Sequence, residues 1–173
     1  MKNIFKYMAT VAISIIGLSL TACEKEPEPT PANDVTYEES SAYAIYYQGS
    51  ALTAGETITV SPTPEQRNND DVEADIFMYN KTDNTLNTCF KVELVDGPAT
   101  MGEAPICYGV CQSKPLPYTH EAISLAPGMD QIPIQIHVYM GLHEGATSGT
   151  YRVTVGEGTQ LANPQVCNIK FTW

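Results

Sequence analysis

The segment IPIQIHVYM (Ile132–Met140) places Ile132, Ile134, Ile136 and Val138 on one side of an extended chain. Pro133, Gln135, His137 and Tyr139 fall on the other. A two-residue period of this kind belongs to a half-buried strand, not to a helix. GTYRVTV (Gly149–Val155) repeats it, with Tyr151, Val153 and Val155 inward, and so does VCNIKFTW (Val166–Trp173), with Cys167, Ile169, Phe171 and Trp173 on one face. No stretch carries a long helical period. SAYAIYY, TITV, VEADIFMY, TCFKVELV and HEAISL add further short β-rich runs, separated by turn sequences such as QGSALTAGE, NKTDNT, APGMD and GLHEGATSG.

About seven to nine such strands predict an antiparallel β-sandwich. Pro133 would interrupt a central ladder, so its strand is expected to begin at an edge or at its own end. In TCFKVELV, Phe90, Val92 and Leu94 face one way. Cys89, Lys91, Glu93 and Val95 face the other, which reads as a largely solvated side. DGPATMGEAPICYGVCQSKPLPY, with its prolines and glycines, reads as a long irregular stretch holding at most a short extended piece near Cys107.

The first residues have a separate logic. Lys2 and Lys6 precede an uncharged run, MATVAISIIGLSL (Met8–Leu20), too short for a comfortable bilayer span and suited to a signal-peptide core. Leu20-Thr21-Ala22-Cys23 then resembles the bacterial lipobox. That resemblance implies removal of residues 1–22 and acylation of Cys23. Each buried methylene contributes about 0.8 kcal/mol and a single chain holds only marginally, so multiple acylation is the stable anchor. Residues 24–36, opening EKEPEPTPAND, contain little that packs and much proline. They are expected to form a solvated tether reaching on the order of 34 Å at polyproline spacing. The acids directly after Cys23 resemble the export signal of Bacteroidetes surface lipoproteins, which implies an outer-membrane anchor with the domain, residues 37–173, facing the cell exterior.

Loss of residues 1–22 removes two lysines and no acid, taking the formal charge from −11 to −13. Such a balance opposes nucleic acid and anionic membrane surfaces as partners. It leaves four cysteines, Cys89, Cys107, Cys111 and Cys167. In an envelope compartment an even number reads as disulfides, and three pairings are open. Cys107–Cys111 is favoured, because Gly109 centres a turn between them; Cys89–Cys167 would then tie the middle of the domain to its last strand. A thiolate zinc site is the rival reading, but Cys-x3-Cys lacks a second matching pair.

An early strand pair with a glycine-bounded connection, the ICYGVC segment, an APG turn and the closing GTYRVTV and VCNIKFTW strands resemble Bacteroidetes surface or secreted Ig-like lipoprotein domains. The likeness spans about Ser41 to Trp173. It implies a fold more than a chemistry, because a shared fold hosts many functions.

No nucleophile elbow, HExxH or phosphate loop appears, so no catalytic residue and no cofactor is assigned. Tyr46 and Tyr47 are adjacent in a strand, so one must face outward. Tyr108 and Tyr118 fall in the long loop, and these four are the candidate binding residues for a glycan or protein partner. The alternative is a haem or calcium protein. It would use His137 and His143 with Met140, or Asp70 and Asp71 within NNDDVEAD, whose plainer reading is a solvated turn.

Overall fold

The computed structural model describes residues 35–173. The expected signal segment, Cys23 and nearly all of the tether lie outside the described residues. In chain order the strands are β1 (Tyr43–Tyr47), β2 (Ser50–Leu52), β3 (Thr57–Val60), β4 (Asp71–Asn80), β5 (Leu86–Asp96), β6 (Glu103–Tyr108), β7 (Val110–Pro115), β8 (Tyr118–Thr119), β9 (Ile123–Leu125), β10 (Gly128–Met129), β11 (Ile134–Tyr139), β12 (Ser148–Glu157) and β13 (Ala162–Thr172). One short helix, α1 (Pro64–Asn68), precedes β4. Thr63 caps it, its hydroxyl accepting from the Gln66 amide while the Gln66 side chain returns the bond to Thr63.

Two sheets pack face to face as an Ig-like sandwich. One runs β2-β1-β4-β11-β6-β7, with β10 on the end of β4; the other runs β3-β13-β12-β5-β8, with β9 on β5. Every pairing is antiparallel except β3 with β13. More strand segments form than the sequence grammar suggests, because several are ladders of only two or three residues.

The alternation predicts the packing. Ile134, Ile136 and Val138 of β11 are buried, as are Tyr151, Val153 and Val155 of β12 and Cys167, Ile169 and Phe171 of β13. Against them lie Ile76 and Met78 of β4 and Phe90 and Val92 of β5. At roughly 1.5–3 kcal/mol per large apolar side chain removed from water, this inner layer dominates the favourable side of folding. β11 is central and begins directly after Pro133, so the proline costs no ladder bond. Ile132, expected on the core face, precedes the strand and is exposed.

Two other expectations are corrected. The stretch read as irregular contains the β6–β7 hairpin, paired from Glu103↔Pro115 to Tyr108↔Val110 across Gly109, which adopts φ +72°. Its proline content is compatible because β11 pairs with β6 only at Ile106 and Cys107, so Pro105 lies beyond that ladder. Cys89, read as solvated, is fully buried although it is on the outer face of its sheet. It lies opposite Gly156. The backbone of Leu161 closes over that glycine, approaching within 2.7 Å of where a β-carbon would stand, and shelters this corner.

Candidate functional site

Cys107 and Cys111 face each other across the hairpin, Cα atoms 3.9 Å apart, and form the expected disulfide. The second expected bond does not form: Cys89 and Cys167 are free, buried thiols. β12 separates their strands. Cys167 pairs with the inward Val153, which also pairs with the inward Val92; Cys89, three residues from Val92, points to the opposite face. No side-chain rotation brings sulfurs together through a sheet. Burial pushes the Cys167 thiol up to about 12 and raises that of Cys89, which disfavours the nucleophilic thiolate at both.

The candidate tyrosines divide between places. Tyr46 faces outward and its ring lies 5.4 Å from that of Tyr79. Tyr47 turns inward, packs on the core and accepts a bond from the Gln48 amide. Tyr108 and Tyr118 meet at another edge of the sandwich around His120, whose ring stacks on Phe90 at 4.7 Å. Tyr108 donates to Asp130, and burial with that carboxylate raises its hydroxyl well above the ordinary tyrosine value. Tyr118 carries Lys114 over its ring at 5.1 Å. These four do not form one patch, and Tyr108 is a packing residue of the sandwich edge.

The metal candidates are likewise dispersed. The Asp70 carboxylate accepts from the Gly141 amide at 2.7 Å and fixes the turn after β11. Asp71, Glu73 and Asp75 occupy alternate positions of β4. Successive members of such a strip are about 7 Å apart, too far to share one calcium ion. Asp71 instead accepts from His137 Nδ1 at 3.1–3.2 Å, and Asp75 accepts from the Gln135 amide at 2.8 Å. His143 is buried, with Nδ1 2.8 Å from Thr100 Oγ1. Burial lowers its proton affinity against the opposing pull of Asp70. His137 and His143 border one groove, but Met140 packs against the core instead, so the three-residue haem set does not assemble.

What does converge is a groove of about 480 Å³, lined by Glu103, Pro105, Gln112, Ser113, His137 and Tyr139, and closed at one end by Thr100, Leu142 and His143. Its register explains it. Gln135 lies opposite Cys107, which sets His137 beside Pro105 and Tyr139 beside Glu103; β7 then adds Ser113 next to Pro105. Glu103, Pro105, Ser113, His137 and Tyr139 share the outer face of one sheet, whereas Gln112, opposite the buried Ile106, borders the groove from the reverse side of edge strand β7. Tyr139 is 40% exposed, enough to offer a ring face to a ligand. Ser113 Oγ donates to Glu103 Oε1 at 2.6 Å, holding that exposed carboxylate beside the groove. The alternation marks His137 and Tyr139 as outward, but Glu103 and Ser113 join them only through the hairpin.

No protein-family model matches the chain, and no curated protein is matched either. Solved structures are. The N-terminal domain of PorA aligns with a TM-score of 0.57 at 14% identity, over 75% of this chain and 96% of that one. The PapD-like domain 7 of human CEP192 gives 0.38 at 8% identity, over 82% and 91%. The CooA pilin subunit of enterotoxigenic Escherichia coli gives 0.38 at 8%, over 76% and 97%. Scores of 0.38 carry no argument; the likeness to the PorA domain shows a shared fold.

Proposed function

We propose that this chain is a non-catalytic, lipid-anchored binding module of Bacteroidetes surface-lipoprotein type, displayed from the outer membrane, that takes a glycan in the groove on the outer face of its first sheet. The carrying observation is the pairing of an exposed Tyr139 ring with Glu103 and Ser113 in one open, partly apolar groove on the outer face of the sheet. A sugar ring has an apolar face for an aromatic platform and hydroxyls for carboxylate and hydroxyl partners. The LTAC sequence and the acidic residues after Cys23 support the anchor and its outward display.

Two arrangements bear on catalysis. Thr100 contacts a histidine whose burial weakens it as a base, and Ser113 contacts Glu103 directly. Among the described residues neither hydroxyl belongs to a nucleophile–histidine–carboxylate relay.

The test is retention of the full chain on a broad saccharide array. Wild type should bind a subset of glycans, Tyr139→Ala should lose at least about tenfold in affinity, and Tyr118→Ala should bind normally. A wild-type chain that retains no saccharide, or a Tyr139→Ala chain that binds unchanged, would refute the glycan reading. Binding of a protein partner in place of any saccharide would likewise refute it, in favour of the protein-partner reading of the sequence.

A further inference from the structure

The wall of the groove holds a second chemistry that does not depend on a glycan. Among the described residues, one group of metal-capable side chains converges: Cys107, Cys111 and His137, with one ligand atom from each lying within 4.8 Å of the others. In the oxidised chain the two sulfurs are spent on each other. We propose that reduction of the Cys107–Cys111 disulfide by a dithiol turns this wall into a Cys2His site for a thiophilic cation, with zinc(II) as the representative ion.

The geometry supplies each requirement. Zinc bonds of about 2.3 Å to sulfur and about 2.0 Å to nitrogen put tetrahedral ligand atoms roughly 3.5–3.8 Å apart. Once the S–S bond is open, small side-chain rotations reach that spacing. The ligands do not scatter on reduction, because the hairpin is held by its own ladder from Glu103↔Pro115 to Tyr108↔Val110 and keeps Cys107 opposite Cys111. His137 is already oriented. The Asp71 carboxylate accepts from Nδ1–H at 3.1–3.2 Å, which leaves the Nε2 lone pair for a metal, the carboxylate–histidine arrangement that supports a bound ion. Glu73, 3.7 Å from the same ring nitrogen, adds negative charge. The groove leaves the fourth coordination position open to water or a ligand.

The reduction is accessible and balanced. Cys111 is exposed and Cys107 is buried. A dithiol therefore attacks Cys111 Sγ, forming a mixed disulfide and releasing Cys107 as thiolate. Its second sulfur then displaces Cys111 and closes as a cyclic disulfide, so two electrons pass from the dithiol to the protein. Zinc binding sends the two thiol protons to solvent and leaves a neutral metal–thiolate centre.

The experiment compares oxidised and dithiol-reduced full chain, both carrying Cys23→Ala and freed of reductant under anaerobic conditions. Each is titrated with zinc(II) against a chromophoric chelator, and with cobalt(II) for its thiolate charge-transfer band. Cys89 and Cys167 are free thiols in both forms, so the oxidised chain controls for them. The proposal predicts one tightly bound equivalent in the reduced chain only, with a tetrahedral cobalt spectrum. Asp71→Asn should weaken binding roughly 10- to 100-fold, and His137→Ala should weaken it at least as much, each with unchanged far-ultraviolet circular dichroism. Equal binding by both redox forms, no binding by the reduced form, or a reduced affinity indifferent to His137→Ala would overturn it.

Discussion

At the scale of single residues, His143 shows how burial sets behaviour. Its ring is enclosed between Thr100 and Trp173, and burial keeps its proton affinity below the ordinary value of 6.5. Well above pH 6.5 the imidazole is neutral in folded and unfolded chains alike, and its contribution is fully present. As pH falls through that value, the unfolded chain takes up a proton that the folded chain refuses, so stability declines. The decline is bounded by one proton, at most about 1.4 kcal/mol per pH unit. Urea midpoints measured from neutral to mildly acidic pH should fall more steeply for wild type than for His143→Gln, which keeps a hydrogen-bonding side chain without the titration. Identical slopes would show that the ring does not report its burial. Nothing in the sequence around His143 distinguishes it from an exposed loop histidine, because its shelter comes from Thr100 and Trp173, distant in the chain.

At the scale of elements, β11 and the β6–β7 hairpin stand at opposite ends of legibility. β11 could be read directly, since its alternation matches the pleat and Pro133 marks its start. The hairpin was hidden because proline and glycine are penalised in strands on average. The average does not apply where Pro105 lies past the end of the β11 ladder and Gly109 occupies a turn at positive φ. The disulfide between Cys107 and Cys111 spans a sequence separation of only 4, so it restricts the unfolded chain little. The double variant Cys107→Ser/Cys111→Ser should lose about 2 kcal/mol and retain its β-sheet circular dichroism. A collapse of the fold would mean that the ladder alone does not hold the hairpin. The expected Cys89–Cys167 bond failed for a reason at this same scale: strand registers, which residue spacing does not reveal, put the sulfurs on opposite faces of one sheet.

At the scale of the whole molecule, two sheets bury their alternating faces against each other and leave one outer face to carry the groove. The sandwich class was visible because inward residues recur every second position in many short runs. The groove was not, since Glu103, Ser113, Tyr139 and Thr100 belong to separate elements and meet only through sheet order. The tyrosines that composition draws attention to are distributed over separate surfaces, while Tyr139 gains its position from its neighbours. The most direct test of this account is backbone amide chemical-shift mapping of the full chain, titrated with the best-retained saccharide of the array. Perturbations centred on Glu103, Ser113, His137 and Tyr139 are expected. Perturbations centred on Tyr46 and Tyr79, or on Lys114 and Tyr118, would contradict it.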